Sequence, residues 1–208
     1  MYVLFLQKKK LPHTGFTLVE TMVVIGIYTI VMFALFQSID MFYRYNSYAI
    51  AQSNQVDLAR RGMDIVIRDI REMTFADNGT FPLALMKPNK IGFYSDIDRD
   101  NSVEYVEYEL ATTTTFTKRV YGAIGNPPVY SVTPESTQIL SNYVQNMNQS
   151  TSTFYYFGSN GKLATATSTV TDIVYVGIQI IVNIDPVRDP GQFMLRSSAA
   201  LRNLKENI

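Results

Sequence analysis

The chain has 208 residues, 47% of them hydrophobic, which is enough for one core-forming domain and an appendage. Eighteen basic and eighteen acidic residues balance, but the first fifteen residues hold three lysines and no acid, leaving 15 basic against 18 acidic residues in the remainder. That remainder lacks the clustered basic charge of a nucleic-acid footprint. There is no cysteine, and the single histidine, His13, precedes everything else of interest. Disulfide frameworks, thiolate chemistry, His-dependent nucleophilic catalysis and most zinc sites are therefore excluded. With no GxSxG and no phosphate loop either, an enzyme is not expected.

In chain order, a basic leader (Lys8, Lys9, Lys10) comes first and an apolar run follows from Phe16 to Phe36, FTLVETMVVIGIYTIVMFALF. A hydrocarbon layer of ~30 Å needs about 20 helical residues, so this run is long enough to span it. The lysines before it place the N-terminal end in the cytoplasm and the bulk of the chain outside. A cleavable secretory signal fits poorly, because the run is long and no small-x-small site follows Phe36. A plain anchor leaves Glu20 unexplained. A carboxylate inside a membrane helix costs roughly 2.5–3.5 kcal/mol at the centre, less near the end, and calls for a partner.

Gly15-Phe16-Thr17-Leu18-Val19-Glu20, after a basic leader and before an apolar helix, resembles the type IV prepilin signal. The resemblance implies that a prepilin peptidase cuts after Gly15, leaving residues 1–15 as a leader. It also implies N-methylation of the new terminus, Phe16, and an apolar helix that stays on the mature chain. Glu20 would then meet the N-terminal amine of a neighbouring subunit, which supplies its missing partner. By this resemblance the protein is a pilus or pseudopilus subunit. It sits in the cytoplasmic membrane before assembly and has its head outside.

Beyond the apolar run no proline occurs until Pro82. Val56, Ala59, Met63, Val66, Ile70 and Met73 step by three and four, a single helical stripe. Residues 37–74 are thus expected to continue the helix of 16–36, to a total of roughly 85–90 Å at 1.5 Å per residue. Asp57–Arg61, Asp64–Arg68 and Arg68–Glu72 have the spacing of i,i+4 ion pairs. Tyr43, Tyr45 and Tyr48 suit either a membrane–water interface or subunit contacts.

From residue 75 the pattern changes to strands. Ile91–Ser95, Val103–Leu110, Thr114–Tyr121 and a hairpin of Thr153–Phe157 with Lys162–Ala166 are expected. Asp172–Ile184 alternates strictly, and Phe193–Leu201 returns antiparallel to it. Gln138–Met147 is ambiguous and could form a short helix. The expected class is α+β: a long N-terminal helix, half membrane-spanning and half amphipathic, on an antiparallel β head covering 75–208. The order of parts resembles the larger minor members of the prepilin family, the J-type pseudopilins and W-type pilins. The lack of a proline near residue 37 favours a minor over a major subunit.

Residues 96–107, DIDRDNSVEYVE, raise a second possibility. Asp96, Asp98 and Asp100 occupy positions 1, 3 and 5 of a calcium-loop pattern, with Glu104 at 9 and Glu107 at 12. Asn101 stands where glycine is usual and tolerates the left-handed turn. Ser102 and Glu104 could assist the three aspartates. Glu107 lies in an expected strand and is poorly placed to swing back. The other reading is an acidic, solvated hairpin tip. A membrane-anchored module that binds a glycan or calcium remains the alternative to a filament subunit.

Overall fold

The computed structural model describes residues 15–112, 114–165, 168–188 and 191–201. Residues 1–14, which include the lysine cluster and most of the expected leader 1–15, and residues 202–208 lie outside them. A single helix, α1, runs from Leu18 to Arg71. It contains no proline, and Arg68 and Arg71 in its last turn complement the negative end of the helix dipole. The described residues fall into two compact units that divide within α1, after Tyr48.

In the first unit every side chain from Gly15 to Ser47 is exposed except the half-buried Met32. Phe16, Leu18, Met22, Ile30, Phe33 and Phe36 are among the exposed apolar groups. This helix is long and apolar enough to cross a membrane.

The second unit holds the strands: β1 (Leu83–Lys87), β2 (Lys90–Ser95), β3 (Glu104–Leu110), β4 (Phe116–Tyr121), β5 (Ala123–Ile124), β6 (Val129–Tyr130), β7 (Ser136–Ser141), β8 (Phe154–Gly158), β9 (Ile173–Val182) and β10 (Phe193–Ala200). A five-stranded sheet is ordered β1-β2-β3-β4-β7, a three-stranded sheet β10-β9-β8, and β5 pairs with β6. All pairings are antiparallel. The expected α+β class is the class observed.

One core joins helix and sheets. Ala59, Met63, Val66 and Ile70 of the predicted stripe, with Met73 beyond the helix end, pack with Leu83, Ile91, Phe93, Val106, Phe116, Val176 and Ile180. Gly62 permits this approach: a Cβ there would lie 3.0 Å from the Leu140 Cβ and 3.3 Å from its carbonyl oxygen. Buried polar side chains complete the seams. Gln52 donates to the Val182 carbonyl (3.2 Å) and accepts from the Ile184 N–H (2.9 Å). Asn146 donates to the Gln179 carbonyl and accepts from the Ile181 N–H, both at 2.8 Å.

Several expectations change in detail. Gln138–Met147 resolves into β7 followed by a loop, not a helix. The hairpin at 153–166 shrinks to one bridge, Phe157 with Leu163. The arm ion pairs are replaced: Arg68 lies 3.3 Å from Asp69, and Glu72 pairs with Arg99 at 3.4 Å. In β9 the alternate residues are covered too, with Gly177, Gln179 and Ile181 buried beside Val176, Ile178 and Ile180, because neighbouring strands and the loop held by Asn146 screen them.

Candidate functional site

The N-terminal motif sits at the start of α1. Gly15, Phe16 and Thr17 precede the helix, and Phe16 is 79% exposed. Thr17 is the cap residue. Its backbone N–H and its hydroxyl each donate to Oε2 of Glu20 at 3.0 Å, and the Glu20 N–H donates to the Thr17 Oγ1 at 3.3 Å. This is a reciprocal capping box, in which a threonine and a glutamate three residues on satisfy each other's backbone donors at a helix start. The Thr17-x-x-Glu20 spacing announces it in the sequence. Glu20 therefore has an intramolecular partner within the described residues, and both bonds converge on one carboxylate oxygen.

The acidic loop between β2 and β3 is closed by the cross-strand pair Ser95 and Glu104. Carboxylate oxygens of Asp96, Asp98 and Glu104 lie within 4.8 Å of one another. Oxygens around a calcium ion bound at 2.3–2.6 Å are separated by no more than about twice that length, so these three fit one coordination sphere. Asn101 adopts φ 69° and Arg99 φ 64°, the left-handed conformation expected of the turn. The carboxylates also serve the loop's own backbone. Arg99 N–H donates to Asp96 (2.7 Å), Asp100 N–H to Asp98 (3.3 Å), Ser102 N–H to Asp100 (2.7 Å) and Ile97 N–H to Glu104 (2.8 Å). Burial raises the Glu104 carboxyl above the usual range, the Ile97 N–H opposes this, and the charges of Asp98 and Asp100 add to the rise.

Asp100 does not join the three-carboxylate group. Glu107 is held elsewhere: it accepts from Tyr105 and Tyr121, both at 3.1 Å, and pairs with Lys90 at 2.9 Å. Glu107 lies three positions after Glu104, and alternation along β3 sends the two to opposite faces. Around Glu107 the rings of Tyr94, Tyr105, Tyr121 and Tyr130 stand 4.9–6.5 Å apart in a tilted cluster. Burial first, then the Glu107 charge, raises both the Tyr105 and the Tyr121 phenols, Tyr105 well above its ordinary value.

A third arrangement lies beneath the helix and has no sequence signal. Asp69 of α1, Tyr108 of β3 and Lys118 of β4 are buried together. Lys118 Nζ is 2.6 Å from Asp69 Oδ2, and the Tyr108 hydroxyl donates to the same oxygen. These residues are 39 and 49 positions from Asp69. Only the register of β3 with β4, which pairs Tyr108 with Lys118, brings them side by side.

No family model matches the chain, and neither a curated protein nor a solved structure gives a significant match.

Proposed function

We propose that the protein is a structural subunit of a type IV pilus or type II secretion pseudopilus, in a minor role at the tip or in initiation. A prepilin peptidase would remove residues 1–15, and Phe16 would be N-methylated. The observation that carries this reading is the placement of Gly15-Phe16-Thr17-Leu18-Val19-Glu20 at the start of a helix whose apolar surface is exposed throughout its first unit. Such a surface needs lipid or other helices to cover it. The helix serves first as a single-pass anchor with its N-terminus in the cytoplasm and its head outside, and then as filament core.

The capping box refines the role of Glu20. Before assembly its Oε2 is satisfied by Thr17. The other oxygen is then the acceptor for the N-terminal amine of a neighbouring subunit, a charge-assisted bond in a low-dielectric setting. Incorporation of the chain into purified filaments, followed with and without the peptidase, tests the reading. Assembly of an uncleaved chain would count against it.

A second reading, a permanently anchored surface module that binds calcium or a glycan, draws on the juxtaposition of Asp96, Asp98 and Glu104. Calorimetry of the protein with calcium tests that part. An absence of heat, together with an unshifted melting temperature, removes it.

A further inference from the structure

Asp69 and Lys118 form a charge pair almost wholly withdrawn from water, 1% and 7% exposed. Taking such a pair out of water carries a desolvation penalty that their mutual attraction must offset. The surroundings are aromatic: Tyr108 stacks between Phe93 (5.9 Å) and Phe116 (6.2 Å), and Lys118 Nζ stands 5.8 Å from the Tyr108 ring centre. The two carboxylate oxygens are treated differently. Oδ2 receives Lys118 Nζ and the Tyr108 hydroxyl. Oδ1 receives Nε and Nη2 of Arg68, both at 3.3 Å.

We propose that Asp69 and Lys118 are joined by an intramolecular isopeptide bond, formed within this site by the residues already there. A proton passes from the Lys118 ammonium to the Asp69 carboxylate, giving an amine and a carboxylic acid. The freed Nζ lone pair attacks Cγ and a C–N bond forms. Negative charge gathers on Oδ1, where the Arg68 guanidinium donates to it. The nitrogen then releases a proton to Oδ2, the Cγ–Oδ2 bond breaks, and one water leaves. The net change is carboxylate plus ammonium to amide plus water, with no change of oxidation state and no further reactant.

Burial pushes the Tyr108 phenol far above its ordinary value, with the Asp69 charge adding to this, so its hydroxyl stays protonated as a donor to the departing oxygen. Holding amine and acid in contact supplies the proximity that such a condensation lacks in free solution. The product is neutral, which removes the cost of two buried charges. The bond would tie α1 to β4 across 49 positions, in a chain with no cysteine to form a disulfide. The bond would form whether or not the leader is removed and the filament assembled.

The test is the mass of the full chain, purified in detergent and measured under denaturing conditions, followed by fragmentation of its tryptic digest. The expected result is a loss of one water, about 18 Da, carried by a branched peptide that joins the segments containing Asp69 and Lys118. Lys118→Arg should restore the full mass. Asp69→Asn removes the carboxylate that accepts the Lys118 proton and should keep the unbridged mass of its own sequence. A native chain at full mass, or a water loss mapped to another pair, overturns the proposal.

Discussion

Thr17 and Glu20 cap the first turn of α1 reciprocally, with two bonds of 3.0 Å from Thr17 converging on one carboxylate oxygen. Glu20 is thus both a cap and, on the proposed reading, an intersubunit acceptor, and substitution separates the two. Gln keeps the cap, because a glutamine closes this box as a glutamate does. Glu20→Gln is expected to keep the helix start and its membrane insertion while filament incorporation falls at least tenfold. Glu20→Ala should lose the cap and the intersubunit acceptor, staying in the membrane while assembly is impaired. Incorporation measured by immunoblot of sheared filaments checks this, and normal assembly of the Gln variant would remove the charge from the account.

Gly62 lies against the Leu140 backbone, so a side chain there cannot be accommodated by a rotamer change alone. Gly62→Val is expected to lift α1 from β7 and destabilise the second unit by about 1–3 kcal/mol, the usual scale of overpacking. Urea unfolding followed by tyrosine fluorescence reads this as a lower midpoint at unchanged slope.

Asn146 is fully buried and satisfies the Gln179 carbonyl and the Ile181 N–H in the middle of β9. Asn146→Ala leaves both without a partner and is expected to cost about 1–3 kcal/mol. Amide hydrogen exchange should show the loss at Ile181 first.

The raised Glu104 carboxyl carries a sign. In the folded chain it binds its proton more tightly than in the unfolded chain, so its contribution favours folding at low pH and is lost as pH rises through the raised value. Burial is the main cause, and the nearby Asp98 and Asp100 charges act in the same direction. Glu104→Gln can still accept the Ile97 N–H and does not ionise. Its melting-temperature advantage over the native chain should grow as pH rises from the ordinary carboxylate range through the raised value, and then level off. A difference that does not grow with pH would contradict this.

Strong periodicity made much of the second unit legible. The stripe Ala59, Met63, Val66, Ile70 is buried as its spacing requires, and the alternation of residues 174–184 marks β9. Elements without such a signal were missed or ambiguous. The strand β1, Leu-Ala-Leu-Met-Lys, has little β propensity and is recognisable only through its pairing with β2. The strand β7 is an edge with four exposed residues, so no buried face marks it. Of the acidic loop, the sequence identified the aspartates and the left-handed Asn101, but pattern matching alone could not show that Glu107 turns to Tyr105, Tyr121 and Lys90. The Asp69–Tyr108–Lys118 cluster depends on strand register and helix placement, which no local pattern encodes.

On the proposed reading the chain is cut after Gly15 and assembles through its apolar helix. N-terminal mass spectrometry of the full-length protein, coexpressed with a prepilin peptidase and recovered from membranes, tests it most directly. The mature chain is expected to begin with N-methylated Phe16 and to keep Glu20. A membrane-bound chain with its leader intact in the presence of active peptidase would contradict it.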